Sequence, residues 1–342
     1  MPTKLTGNGV QLSQLSADPS SPVVGQVYLN TQTSKMRMWD GVAWSDVSKE
    51  SDFLNHQIIT TSFVYGGYKS SSPWKNVNQM SHATDIMVNH GDILTKAGSY
   101  VSGACGLVNA YIWGADNTWP GNTTECDAFS MVTLTAITPP AMLYARNDSG
   151  TIQKEHEKAW ILMGGNANCD VFDLTTETMA ATDQGIIAPN AGDTMQSGAG
   201  THFGETKGYW WNTLGGGKFT FATQTFDTGP TGGNGSQQKG ISSKFGIGYA
   251  GNEGSYMGGY NLRRTNYGTD TTAGTIPKPI GNCGEENLDM GQHHQYMMGM
   301  YDGAQNNRGW KFAYTTDNGY ELGAGSVRTG VAGGSSGHCA WK

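Results

Sequence analysis

Charged side chains are scarce in this chain: Asp, Glu, Lys and Arg make up 14% of its 342 residues, against about 25% in an average soluble domain. Helical bundles and coiled coils need charged outer faces, so the shortage argues against both. Only six arginines are present, and no run of Lys or Arg occurs anywhere. A phosphate-backbone binder needs a dense basic footprint, and the formal net charge is −7, so nucleic acid is not an expected partner. Long apolar runs are missing as well. Stretches such as Ala159–Met163 fall far short of the roughly 20 residues that span a bilayer, and no membrane insertion is expected. The opening MPTKLTGNGV lacks the apolar core of a secretory signal, so folding is expected in the cytoplasm without ordinary export. Cysteine pairs are lacking too. The five cysteines, Cys105, Cys126, Cys169, Cys283 and Cys339, form an odd set with no CxxC. That pattern predicts reduced, buried thiols rather than a disulfide framework.

What is abundant is glycine, at 50 residues, together with 10 Trp, 15 Tyr and 10 Phe. Each interior glycine weakens a helix by about 1 kcal/mol, whereas the aromatic content opposes disorder. Short strands joined by Gly, Asn and Thr turns satisfy both constraints, and the expected class is all-β.

A short signature recurs along the chain: a few apolar or aromatic residues that end in Gly. It is read at Phe63–Gly67, Tyr111–Gly114, Trp160–Gly165, Tyr209–Asn212 (Asn in the Gly place), Ser255–Gly259 and Tyr296–Gly299. The marker positions 66, 114, 164, 212, 258 and 299 are 48, 50, 48, 46 and 41 residues apart. A further strand follows several markers, as in Cys126–Phe129, Cys169–Leu174, Lys218–Phe221 and Lys311–Tyr314. FDLTTET at 172–178 alternates and then turns, as a hairpin strand does. Small-residue strands precede several markers, as in 99–106, 198–204 and 242–248. Units of about this length hold four short strands in kelch and WD40 blades. The markers resemble the double-glycine kelch repeat, which implies a β-propeller over residues 51–342. Gly-Gly is complete only at Gly66, Gly164 and Gly258. Six markers imply six blades. Gly337–Trp341 is either a strand that closes the ring against N-terminal strands or part of a seventh blade.

Residues 1–50 read differently. From Gly25 to Trp44 the sequence GQVYLNTQTSKMRMWDGVAW alternates with a period of two, and it predicts a hairpin with an NTQTSK turn followed by a tight Asp-Gly turn. A segment this short buries little core alone, so it is expected to dock. The Tyr-x-Asn-Thr, Lys-x-Arg-x-Trp-Asp-Gly and second Trp resemble a short module of bacteriophage tail, fibre and other virion proteins. That resemblance implies a virion context in which Tyr28, Trp39 and Trp44 stabilise a docking module.

No constellation of residues specifies a reaction, a cofactor or a metal. His293 and His294 are adjacent, and adjacent strand residues point to opposite faces; a third ligand at zinc spacing is missing. Copper radical oxidases share kelch-type propellers, and Cys105, Tyr111 and the His pair supply residue types without a diagnostic motif. A glycosidase needs two carboxylates flanking the bond. Asp127 and Asp170 recur at equivalent positions, each followed two residues later by Phe, which argues for a structural role at turns. Gly229–Gly235 and Gly215–Gly217 lack the strand–GxGxxG–helix context of phosphate loops. Trp74 in SSSPWKN and Trp119 in DNTWPGN lie in turn-rich loops. An aromatic flanked by Asn, Thr and Asp can stack on a sugar ring, so these two are the expected glycan or partner contacts.

The sequence therefore predicts a non-enzymatic virion component. It docks through residues 1–50 to other virion proteins, in many copies within a symmetric assembly. Its propeller is presented to neighbouring subunits or to a host-surface glycan. The rival reading is a propeller enzyme, either a tailspike-like glycosidase or a copper radical oxidase.

Overall fold

The computed structural model describes residues 4–47 and 61–180 with short interruptions, and beyond residue 180 the strand segments named below with a few turns. Every regular element among the described residues is a β-strand. No helix there is long and apolar enough to cross a membrane. The chain divides into two compact units, Met1–Gln57 and Ile58–Lys342.

In the first unit, the strands Val27–Asn30, Lys35–Trp39 and Trp44–Val47 form an antiparallel meander. The predicted hairpin lies within it. A fourth strand, Ser13–Leu15, runs parallel to Val27–Asn30, with Ser13 opposite Tyr28. Three residues are too few to carry a readable alternation, so this strand is invisible to pattern reading. The loop between Trp39 and Trp44 turns at Gly41, whose φ of 105° is a conformation that side chains with a Cβ seldom adopt. A separate two-stranded ribbon pairs Lys4–Thr6 with Gly9–Gln11.

The second unit holds six sheets of four or five strands among the described residues. The first sheet runs Ile86–Asp92, Asn76–Ser81, Thr61–Tyr65 and Gly337–Trp341, from outer edge inward. The second is Ser102–Cys105, Asn109–Trp113, Cys126–Ser130 and Ala136–Ile137. The third is Ser149–Lys154, Lys158–Met163, Asp170–Asp173 and Thr178–Met179, with Thr201–His202 added in parallel. The fourth contains Gly198–Ala199, Lys207–Asn212, Gly215–Thr220 and Thr225–Thr228. The fifth contains Gly240–Ser242, Ile247–Ala250, Asn261–Asn266 and Thr271–Pro277. The sixth contains Asn287–Met290, His294–Met298, Gly309–Ala313 and Gly319–Glu321. Gly337–Trp341 thus pairs antiparallel with Thr61–Tyr65, the first marker strand.

The innermost strands adjoin in a closed succession. Gly337–Trp341 lies against Ser102–Cys105, and Ser102–Cys105 against Ser149–Lys154. Gly198–Ala199, Gly240–Ser242 and Asn287–Met290 continue the series, and the last of these lies against Gly337–Trp341.

Several marker residues are core between sheets. Phe63 and Tyr65 pack with Ile112 and Phe129 of the second sheet. Tyr111 and Trp113 pack with Ile161 and Phe172 of the third. Trp160 and Leu162 pack with Phe219 and Phe221 of the fourth and of its turn. The marker glycines have a reason in two places. Gly66 and Gly114 leave their strands with φ of 67° and 75°, yet their N–H groups still reach Asn76 O (3.1 Å) and Glu125 O (3.0 Å). A left-handed residue that keeps one more ladder bond ends the strand cleanly.

The fifth sheet departs from the sequence reading. Ser255–Gly259 lies outside the described residues, and the second strand of that sheet is Ile247–Ala250, paired with Gly240–Ser242. The small-residue stretch 242–248, expected as one strand, spans the end of one strand and the start of the next. Glycines at 246, 248 and 251 diluted the apolar signal there.

Candidate interaction surfaces

Tyr28, Trp39 and Trp44 are brought together in the first unit. The Tyr28 and Trp44 rings meet edge to face with centroids 5.0 Å apart, and Trp39 lies 5.7 Å from Trp44. Register explains this, since Trp39 is directly opposite Trp44. Tyr28 is fully buried. A fourth residue organises the group: Asp18 accepts the Tyr28 hydroxyl and the Arg37 guanidinium, the latter at 2.6 Å. Arg37 Nη2 also donates to Trp44 O (2.6 Å), and Trp44 Nε1 donates to Pro19 O (3.3 Å). Asn30 donates to the Tyr28 hydroxyl oxygen at 3.2 Å. Burial, reinforced by the bond to Asp18, holds the Tyr28 phenol above its ordinary pKa. These aromatics are therefore the unit's internal support, and a partner would meet what surrounds them. Arg37 is the Arg of the Lys-x-Arg-x-Trp-Asp-Gly pattern, whereas Asp18 escaped the sequence reading because it sits in a segment with no periodicity.

In the second unit Trp74 is half-buried and sits beside a two-residue hairpin, Tyr68–Lys69 with Ser72–Pro73. The residue that follows it is pinned: Lys75 Nζ donates to Thr95 O at 2.7 Å, and Leu94 N donates to Lys75 O at 3.1 Å. Thr95 Oγ1 and Lys96 N in turn donate to Asp127 Oδ2, at 3.1 and 2.6 Å. The Trp74 loop is thereby tied to the second sheet. Trp119 lies outside the described residues, as does His293.

Asp127 and Asp170 do the same work in successive sheets. Asp127 holds residues 95–96, which lead into the second sheet. Asp170 holds the connection into the third, accepting Leu143 N at 2.6 Å and Arg146 Nε at 2.9 Å. Arg146 and Asp170 form an ion pair at 2.8 Å with both side chains wholly buried, and Arg146 also donates to Asn166 O and Asn168 O.

A second periodic feature was missed by the sequence reading although it is legible there. Thr133/Thr135, Thr176/Thr178, Thr223/Thr225 and Thr269/Thr271 each join hydroxyl to hydroxyl at 2.7 to 2.8 Å. They lie in the turns between the last two strands of four successive sheets. The residue between the threonines is left-handed at Leu134, Glu177 and Gln224, with φ of 55°, 58° and 53°, and Asp85 matches them at 55° in the first sheet. Thr-x-Thr recurs at intervals of 43, 47 and 46 residues from Thr133, a simpler repeat than the glycine marker.

The described thiols Cys105, Cys126 and Cys169 are buried, and burial pushes Cys126 up to about 12. Such a thiol stays protonated and inert at neutral pH. Among the described residues no cluster of three or more His, Cys, Asp or Glu has the arrangement to hold a metal ion. No family model and no curated protein matches this chain.

Proposed function

We propose that this chain is a structural component of a bacteriophage particle. Its N-terminal unit attaches it to other virion proteins, and its second unit is a kelch-like β-propeller of six blades. The propeller presents loops to neighbouring subunits or to a host-surface glycan. The observation that carries the propeller reading is the closed succession of inner strands, together with the C-terminal strand completing the first sheet. A ring sealed by both ends of its chain protects its sheet edges and makes a rigid platform. The virion reading rests on the residues 25–44 pattern, and it is supported by the way Tyr28, Trp39 and Trp44 lock a small, separate unit.

The test is binding of the labelled full chain to bacterial envelopes, before and after periodate oxidation of their glycans. Periodate-sensitive binding that falls at least tenfold in Trp74→Ala assigns the loops to glycan recognition. Absence of binding assigns them to subunit contacts within the particle. Stoichiometric bound copper, or reducing ends released from envelope polysaccharide, overturns the non-enzymatic reading. Removal of residues 1–57 should abolish incorporation into particles, and particles that retain the shortened chain would overturn the docking role.

A further inference from the structure

The sheets of the second unit end differently at their outer rims. The second and third sheets finish in strands of two residues each, Ala136–Ile137 and Thr178–Met179. The first finishes in a strand of seven, Ile86–Asp92. Its inner side pairs with Asn76–Ser81, and among the described residues no strand pairs with its outer side. An uncovered strand exposes alternate N–H and C=O groups, which only another extended backbone satisfies in full.

Proteins blunt such edges with lysine, proline, bulges or brevity. Residues 86–89 have none of these. The register irregularity and the left-handed Gly91 lie at the far end, leaving Ile86–Asn89 in unbroken register with Asn78–Ser81. No charged residue falls within 86–89. The flanking Asp85 is engaged by Lys311 and Asp92 by Asn76. Ile86 and Val88 share one face, and each is 50% exposed. Both are β-branched, so little side-chain entropy is lost on burying them.

We infer that Ile86–Asn89 is a self-association edge, at which a second copy of this chain adds its own Ile86–Asn89 strand antiparallel about a two-fold axis. The segment is self-complementary. With Met87 on the axis, Ile86 of each copy lies opposite Val88 of the other, and an isologous contact closes after two copies. In that register Asn89 of each copy faces Asp85 of the other, and no like charges face each other over residues 85–89. This contact is independent of the virion reading and stands whichever partner the loops meet.

Sedimentation equilibrium of the full chain tests it. The wild type sediments with the mass of a dimer, whereas Ile86→Lys with Val88→Lys halves the mass while the far-UV circular dichroism of the folded chain is kept, since both positions are half-exposed. Met87→Cys gives a covalent dimer on mild oxidation, because the axis places residue 87 of one copy against residue 87 of the other. A monomeric wild type overturns the inference. So does a dimer that survives the double lysine variant, or a Met87→Cys chain that stays uncrosslinked, for then the contact lies elsewhere.

Discussion

The two units each contain an Arg–Asp pair, set in opposite surroundings. In the first unit Arg37 and Asp18 retain 21% and 35% of their side-chain exposure, whereas Arg146 and Asp170 retain none. A pair open to water is screened and contributes about 0 to 1 kcal/mol. Asp18 matters chiefly as the acceptor that lashes Tyr28, Arg37 and, through Arg37, Trp44 into one cluster. A buried pair resists separation far more strongly, because either partner left alone is an uncompensated charge. The same chemistry thus gathers a small aromatic cluster in one unit and bolts one sheet to its connection in the other.

The comparison is broken most sharply by Asp170→Asn, which leaves Arg146 buried without its counter-charge. A loss of about 3–5 kcal/mol is expected, seen in calorimetry as an early melting of the second unit. A loss below that of the matching change in the first unit would show that burial does not separate the pairs. Trp44→Ala should cost about 2 kcal/mol, as it strips a half-buried ring from the N-terminal cluster; tryptophan fluorescence against denaturant reports it. Gly114→Ala comes next, at about 1–2 kcal/mol. Its φ is 75°, and an added Cβ would sit 3.3 Å from Arg146 O, so the strain falls on the loop that Asp170 holds. Asp18→Asn should cost about 1 kcal/mol and lose its effect in high salt, which the Asp170 variant should not.

The smallest effect concerns Asp173. Partial burial pushes its carboxyl up, but hydrogen bonds from Thr175 and Thr176 outweigh it, and the group settles below its ordinary value. A depressed carboxylate stabilises the fold above the unfolded pKa, and the contribution disappears as pH falls through the folded value. Asp173→Asn should therefore be less stable than wild type at neutral pH, by under about 1 kcal/mol. The gap should close on acidification. A gap that widens in acid would reverse the assigned sign.

How much was legible follows from the range of each signal. The β class was readable from glycine, aromatics and scarce charge. The apolar runs at 63–65, 111–113 and 160–163 lie on strands because their neighbours turn. The Asp-x-Phe recurrence at 127 and 170 was read as a mark of turns, whereas both carboxylates sit on strands and hold the connections that lead into their sheets. Thr-x-Thr was readable as a repeat, but nothing in its composition announces the hydroxyl-to-hydroxyl bond that closes each turn. In the fifth sheet the strand Ile247–Ala250 was hard to read because glycines at 246, 248 and 251 interrupt its apolar run, and its pairing with Gly240–Ser242 is what places it in the sheet. Trp74 could be singled out by its turn-rich setting, but its tether through Lys75 and Thr95 to Asp127 joins residues far apart in sequence.

Local conformation was the sequence's to determine: strands where apolar residues run or alternate, left-handed exits at Gly66 and Gly114, and turns where threonines flank one residue. These depend on neighbours a few positions away. Tertiary structure alone decided that Gly337–Trp341 pairs with Thr61–Tyr65, that Asp170 receives Arg146, and that the first sheet ends in the seven-residue strand Ile86–Asp92 where the second ends in a strand of two. Each of those outcomes joins backbone or side chains across many residues. Which partner wins is set by the packing of whole sheets, a quantity that no local pattern contains.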